Sequence, residues 1–253
     1  MSRPTVNTFN DGFPIWTPNG RQIVFTSNRG ANLGIFLTMA DGTGNIMHVY
    51  SKPGRVVFPE CLSSDGKMLL ITIATTGGGE DYDIGMLSME GDSKLNPLLD
   101  EKYNELQAKI SPNGRWMAYT SNQSGHYEVY VRPFPDVDKE QWQVSTSGGD
   151  SPLWSPDGRE LFYRNDDGVM MVRVKTDASF GLKTPKILFE GEYIRSDLRL
   201  GSFEPHSWDI SPDGKRFLMM KQYRAGISQT ASPLRINIVL NWFLELKQRF
   251  PVG

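Results

Sequence analysis

A short pattern recurs five times along the 253 residues: an apolar residue, Ser or Thr, Pro, Asp or Asn, then Gly. The copies are Trp16-Thr17-Pro18-Asn19-Gly20, Leu62-Ser63-Ser64-Asp65-Gly66, Ile110-Ser111-Pro112-Asn113-Gly114, Trp154-Ser155-Pro156-Asp157-Gly158 and Ile210-Ser211-Pro212-Asp213-Gly214. Their glycines stand 44 to 56 residues apart. Pro presets φ for a turn position, Asp or Asn bonds its own backbone, and Gly accepts a positive φ, so each copy reads as a tight hairpin turn. The second copy has Ser64 where the others have Pro, and its turn is expected to be looser. A hairpin that returns at this period marks a four-stranded unit repeated side by side.

The flanking segments repeat as well. Three to five residues after each motif glycine come Ile23-Val24-Phe25, Leu69-Leu70-Ile71, Met117-Ala118-Tyr119, Leu161-Phe162-Tyr163 and Phe217-Leu218-Met219. These runs do not alternate apolar with polar, which is how a strand covered on both faces reads. Third strands are expected at Gly34–Met39, Asp83–Ser88, Glu128–Arg132, Val169–Val174 and Ile236–Leu240, with more polar fourth strands at Ile46–Tyr50, Leu95–Leu99, Gln141–Val144 and Ile187–Phe189. The predicted fold class is therefore all-β: a β-propeller of about five, or six, four-stranded blades. A single domain, 1–253, would hold blades at about 11–50, 56–99, 105–145, 150–190 and 205–242. Apolar residues at 242, 243, 246 and 250 fit a helix over about 242–250, with Asn241 as its cap. A strand around Thr5–Phe9 would close the ring and remove an exposed edge. The apolar residues that open the motifs, Trp16 and Trp154 among them, are expected between blades.

Trp-Ser-Pro-Asp-Gly-Arg followed by an apolar run and a Tyr resembles the WD40-like (PD40) repeat of TolB-type propellers, over roughly Asp11 to Trp242. Two further stretches, Thr120-Ser121-Asn122-Gln123-Ser124-Gly125-His126-Tyr127-Glu128-Val129-Tyr130-Val131-Arg132-Pro133-Phe134-Pro135 and Ile238-Val239-Leu240-Asn241-Trp242-Phe243-Leu244-Glu245-Leu246-Lys247, are similar to the C-terminal propellers of bacterial membrane-bound serine/threonine protein kinases. That resemblance implies a signalling protein whose propeller lies outside the cytoplasmic membrane. If the chain stands alone, the lack of a signal peptide implies the cytoplasm instead.

Charge and motif content narrow the function. A formal net charge of −2 argues against a nucleic-acid partner, and the longest apolar run, Met68–Ala74, is far too short for a bilayer, so no membrane contact is expected. One cysteine, Cys61, forms no internal disulfide. Neither a kinase phosphate loop with a catalytic His-Arg-Asp nor a Gly-x-Ser-x-Gly elbow is present, and Gly77-Gly78-Gly79 reads as a blade loop. His48, His126 and His206 lie in three different blades without metal-ligand spacing, and the acidic run Glu80-Asp81-Tyr82-Asp83 lacks the spacing of a calcium loop, so no metal and no cofactor is expected. Asn122-Gln123-Ser124 fits a glycosylation sequon, which means little without a secretory signal.

What remains is the channel. Phe13, Glu60, Lys109, Asp150 and His206 each stand near the start of an inner strand, where a propeller would gather them at one mouth. Their mixed chemistry suits a protein or peptide partner or a small polar ligand. The leading expectation is a non-catalytic binding or scaffolding propeller. The alternatives are a five-bladed glycoside hydrolase using carboxylates such as Glu60, Asp150 and Asp209, or the propeller portion of a larger peptidase.

Overall fold

The computed structural model of the chain describes residues 8–76, 81–166, 168–177, 179–194 and 207–220. Their regular structure is all strand. The first sheet runs in chain order through β1 (Asp11–Trp16), β2 (Gln22–Ser27), β3 (Gly34–Met39) and β4 (Met47–Ser51). The second repeats this with β5 (Arg55–Leu62), β6 (Met68–Thr75), β7 (Tyr82–Ser88) and β8 (Leu95–Leu99). The third holds β9 (Glu105–Ile110), β10 (Trp116–Ser121), β11 (Glu128–Pro133) and the two-residue β12 (Trp142–Gln143). The fourth has β13 (Asp150–Trp154), β14 (Glu160–Asn165) and β15 (Gly168–Lys175), with both β16 (Gly181–Leu182) and β17 (Lys186–Glu190) paired to β15. A fifth sheet shows β18 (Trp208–Ile210) and β19 (Phe217–Met219). All pairings are antiparallel. The expected third strand at 236–240, the helix at 242–250 and most of the closing segment lie outside the described residues; Thr8 and Phe9 form an exposed bend rather than a strand.

Successive sheets stack through their inner strands, since β1 packs on β5, β5 on β9 and β9 on β13. This is the arrangement of propeller blades around a central channel. The middle strand of each blade explains why its sequence is apolar without alternation. Leu69 and Ile71, three and five residues after their motif glycine, join Val24 and Ile35 of blade 1, whereas Leu70 between them joins Met117 and Tyr119 of blade 3. Leu161 and Tyr163 likewise face Trp116 and Ala118 of blade 3, and Phe162 faces Trp208 and Phe217 of blade 5. One strand thus supplies two cores, one on each of its faces.

The motif turns share one bonding scheme, which explains the Ser or Thr at the second position. In blade 4, Gly158 N donates to the Ser155 carbonyl at 2.9 Å. Ser155 Oγ donates to Asp157 Oδ1 at 2.7 Å, and that oxygen also accepts from Arg159 N at 3.1 Å. All five glycines have φ between 67° and 74°, the region only glycine enters without strain. The Ser64 turn is not looser: Gly66 N reaches the Ser63 carbonyl at 2.8 Å, as in its neighbours. The proline acts between blades instead. Pro18 lies against Gly66, Pro112 against Gly158 and Pro156 against Gly214, each 3.4–3.7 Å from where a Cβ would stand, while nothing comes within 4 Å of Gly114, whose preceding blade carries Ser64.

One expectation about burial is corrected. Trp154 is 5% exposed, but Trp16, in the same repeat position, is 61% exposed. Trp154 is covered by the preceding blade, to which its indole Nε1 donates at the Lys109 carbonyl, 2.9 Å. For blade 1, no described blade precedes it.

Candidate functional site

Each complete inner strand breaks register near its middle: between Gly12 and Ile15, between Pro59 and Cys61, opposite the Ala118–Thr120 step of β10, and between Asp150 and Leu153. Phe13, Gln107 and Ser151, each seven residues before its motif glycine, hold φ of 54°, 59° and 53° at these bulges. Bulges re-aim side chains and release backbone groups from the ladder, and strained backbone of this kind persists only where its surroundings over-determine it.

The released groups stitch one blade to the next. Glu60 Oε1 accepts from Thr72 Oγ1 at 2.5 Å within its blade and from Gln107 N of blade 3 at 3.3 Å. Gln107 Oε1 accepts from Thr120 Oγ1 and from Ser151 N of blade 4, both at 2.8 Å. The Ser151 carbonyl accepts the Trp208 indole N–H of blade 5 at 3.2 Å. A polar chain therefore runs through four blades beside the channel. Sequence reasoning missed Thr72 and Thr120, and within the inner-strand starts Gln107-Ala108-Lys109 and Asp150-Ser151-Pro152 it chose Lys109 and Asp150 over Gln107 and Ser151. The detectable signal is the Thr six residues after the motif glycine in blades 1–3, replaced by the buried Arg164 in blade 4.

The five residues expected at one mouth sit seven, six, five, eight and eight positions before their motif glycines, so the repeat sets them at different levels along the inner strands. Phe13 is half-buried, its ring 4.5 Å from that of Phe58. Glu60 is 1% and Asp150 4% exposed, so neither stands open at a channel mouth as the sequence led to expect; Asp150 stands opposite Arg164 in the β13–β14 register. Lys109 is half-buried and its Nζ donates to the Glu60 backbone carbonyl at 2.6 Å. His206 lies outside the described residues, as does the Gly77–Gly79 run. Asn122 of the sequon accepts from Asn104 N at 2.9 Å, a fold-forming bond.

Two other features stand out. At the motif-turn end of the inner strands, Lys109, Ser64, Leu62, Ile110, Leu153 and Trp154 help to line a half-open cavity of about 220 Å³. At the opposite end, the seam between blades 2 and 3 buries two carboxyl groups. The Asn104 side chain accepts from Tyr82 N at 3.2 Å, which brings Asp83 and Glu105, the next residues of each strand, to the same seam. Burial, with the Glu101 charge second, pushes Glu105 up to about 7; burial, then the charges of Asp100 and Asp81, raises Asp83 to about 6. Ser121 Oγ donates to Glu105 Oε1 at 3.2 Å. Among the described residues no group of three or more His, Cys, Asp or Glu could hold a metal ion, and no helix is long and apolar enough to cross a membrane.

No family model matches the chain. A curated relative, the Tol-Pal system protein TolB of Francisella tularensis subsp. tularensis (strain WY96-3418), is 25% identical over 154 residues, covering 60% of this chain and 34% of the relative. The crystal structure of TolB from Acinetobacter baumannii matches with a TM-score of 0.65 at 18% identity, over 87% of this chain and 51% of that one. A Mycobacterium tuberculosis puromycin-hydrolyzing peptidase matches with a TM-score of 0.51 at 17% identity, over 73% of this chain and 31% of that one. The fold is a TolB-type β-propeller. The chain spans about a third of the curated relative and about half of the solved TolB chain.

Proposed function

We propose that this propeller is a non-catalytic binding module that takes a segment of a protein partner at its channel, as the sensor or protein-interaction part of a bacterial signalling protein. The observation that carries the reading is the inter-blade chain Glu60–Gln107–Ser151–Trp208, which spends the polar groups of the inner strands on rigidity. A preorganised channel wall lowers the ordering cost of binding a partner. The likeness to TolB, named as a Tol-Pal system protein in the curated relative, supports a protein partner over a small metabolite. Phe13 and Lys109 are the contacts assigned to the partner, with Glu60 and Asp150 buried in the blades; His206, outside the described residues, is proposed as a fifth contact.

The test is selection of binders from a displayed peptide library, followed by calorimetry with the selected peptides. Phe13→Ala and Lys109→Ala should each weaken binding about tenfold or more while the melting temperature holds. The same preparation should turn over neither glycosides nor peptide substrates. Turnover of a sugar lost on Glu60→Ala would replace this reading with the glycoside hydrolase. The peptidase neighbour favours a second reading, in which the propeller is one portion of a larger hydrolase. Full-length protein that cleaves peptide substrates would establish it.

A further inference from the structure

Two of the five motif turns carry the same tetrapeptide, Pro-Asn-Gly-Arg, at 18–21 in blade 1 and 112–115 in blade 3; the other three have Asp in place of Asn. Asn before Gly is a reactive pair, because a glycine without a Cβ lets its amide nitrogen reach the side-chain carbonyl carbon of the residue before it. Both asparagines are exposed. Identical neighbours on each side give the two sites the same intrinsic reactivity, so a difference between them comes from the fold.

The turn itself holds the two alike. Thr17 Oγ1 and Arg21 N donate to Asn19 Oδ1 at 2.8 and 2.9 Å, and Ser111 Oγ and Arg115 N donate to Asn113 Oδ1 at 2.8 and 3.1 Å. Gly20 N and Gly114 N each donate at 2.8 Å, to the carbonyls of Thr17 and Ser111. The amide nitrogens differ. Asn113 Nδ2 donates at 2.9 Å to the Thr176 carbonyl of blade 4, which also accepts the Trp116 indole N–H at 2.8 Å. Asn113 is thus tethered to the next blade by the half of its amide that an aspartate lacks. Among the described residues, the bonds of the Asn19 side chain end at its Oδ1. Deamidation needs the amide to swing out of the turn, and at Asn113 that motion breaks one bond more.

We propose that Asn19-Gly20 is a self-modification site, where the blade 1 turn converts itself to aspartate or isoaspartate, and that the Thr176 tether protects the same sequence at Asn113. The Gly20 nitrogen gives up its proton and attacks Asn19 Cγ; the new N–C bond forms, the Cγ–Nδ2 bond breaks, and ammonia carries off the amide nitrogen with that proton. Water then opens the five-membered imide. Opening at Cγ leaves aspartate with its Oδ1 acceptor kept, the residue that blades 2, 4 and 5 carry at this position. Opening at the backbone carbonyl leaves isoaspartate, whose chain runs through Cγ and gains an atom between Pro18 and Gly20. That lengthening works against the Gly20–Thr17 bond and the Pro18 contact on Gly66 of blade 2.

The native chain is incubated in warm, mildly alkaline buffer, both folded and in denaturant, and the two sites are followed by peptide mass spectrometry, with isoaspartate read by enzymatic carboxyl methylation. In denaturant the two asparagines should convert at equal rates. In the folded chain Asn19 should convert about fivefold to tenfold faster than Asn113, the worth of one hydrogen bond. The isoaspartate fraction should melt below the aspartate fraction. Variants test the tether separately: Asn19→Asp should melt with the native chain, whereas Asn113→Asp, which puts a carboxylate against the Thr176 carbonyl, should melt below it. Equal rates in the folded chain, faster conversion at Asn113, or no conversion at Asn19 while the denatured chain converts fully would each overturn the proposal. An Asn113→Asp chain as stable as Asn19→Asp would remove the tether and the protection with it. If Asn113→Asp fails to fold, the rates on the native chain decide alone.

Discussion

Trp154 and Trp16 occupy the same position of the same repeat, yet one is 5% and the other 61% exposed. Position in the repeat decides which way a side chain points; the adjoining blade decides whether it is buried. The same rule holds at the other end of the described series. Leu218, at the position of β19 equivalent to Leu70 and Phe162, is 43% exposed, while those two are 0% and 3% exposed. Among the described residues, the interior seams are complete cores and the faces at either end of the series are half-covered.

The largest test of this contrast is Trp154→Ala. Its indole fills the blade 3–4 core beside Phe180 and donates to the Lys109 carbonyl, so truncation should cost about 3–5 kcal/mol in chemical denaturation. A loss under 1 kcal/mol would mean that the seam does not bear on stability.

A smaller effect separates strain from contact at the turns. Gly158→Val forces a β-branched residue to φ of 69° and places its Cβ about 3.6 Å from Pro112. Gly114→Val meets the same strain at φ of 71°, with nothing within 4 Å. Both should destabilise by about 1 kcal/mol or more and by similar amounts, because the strain is shared and a Cβ 3.6 Å from Pro112 is an ordinary contact. A clearly larger loss at Gly158 would show that the packed seam adds to the strain.

The seam between blades 2 and 3 gives a pH test. Glu105 and Asp83 are raised above their ordinary values, so the folded state holds these protons more tightly than the unfolded chain. Their contribution is therefore most favourable below the unfolded carboxyl range and is lost as pH rises through about 6 to 7. The melting temperature should fall by roughly 3–6 °C between pH 5 and pH 8. Glu105→Gln should remove much of that slope. An unchanged slope in the variant would assign it to other groups.

The fold was legible because the motif fixes turns and the runs after it fix the middle strands; third strands such as Gly34–Met39 lie where the sequence places them. The channel was legible only in outline. The five inner-strand residues sit at four levels, five to eight residues before their motif glycines, and the bulges at Phe13, Gln107 and Ser151 carry no composition signal. The bonds that give Glu60 and Gln107 their roles reach 44 to 47 residues along the chain, beyond any local pattern. Trp16 was misread for the same reason: burial between blades is a property of pairs.

The smallest expected effect is the sharpest. With Trp16 exposed on blade 1, Trp16→Ala should change stability by no more than about 0.5 kcal/mol, the range of ordinary surface substitutions. Acrylamide should quench its contribution, taken as the difference between native and Trp16→Ala spectra, far more than that of Trp154. The alternative outcome is equally definite. Trp154 shows what this position yields once a blade covers it, namely a buried ring and an indole bond to a neighbouring inner-strand carbonyl. If Trp16→Ala instead cost several kcal/mol and its fluorescence resisted the quencher, the blade 1 face would be covered in solution, and the two tryptophans would differ in which neighbour they meet rather than in whether they have one.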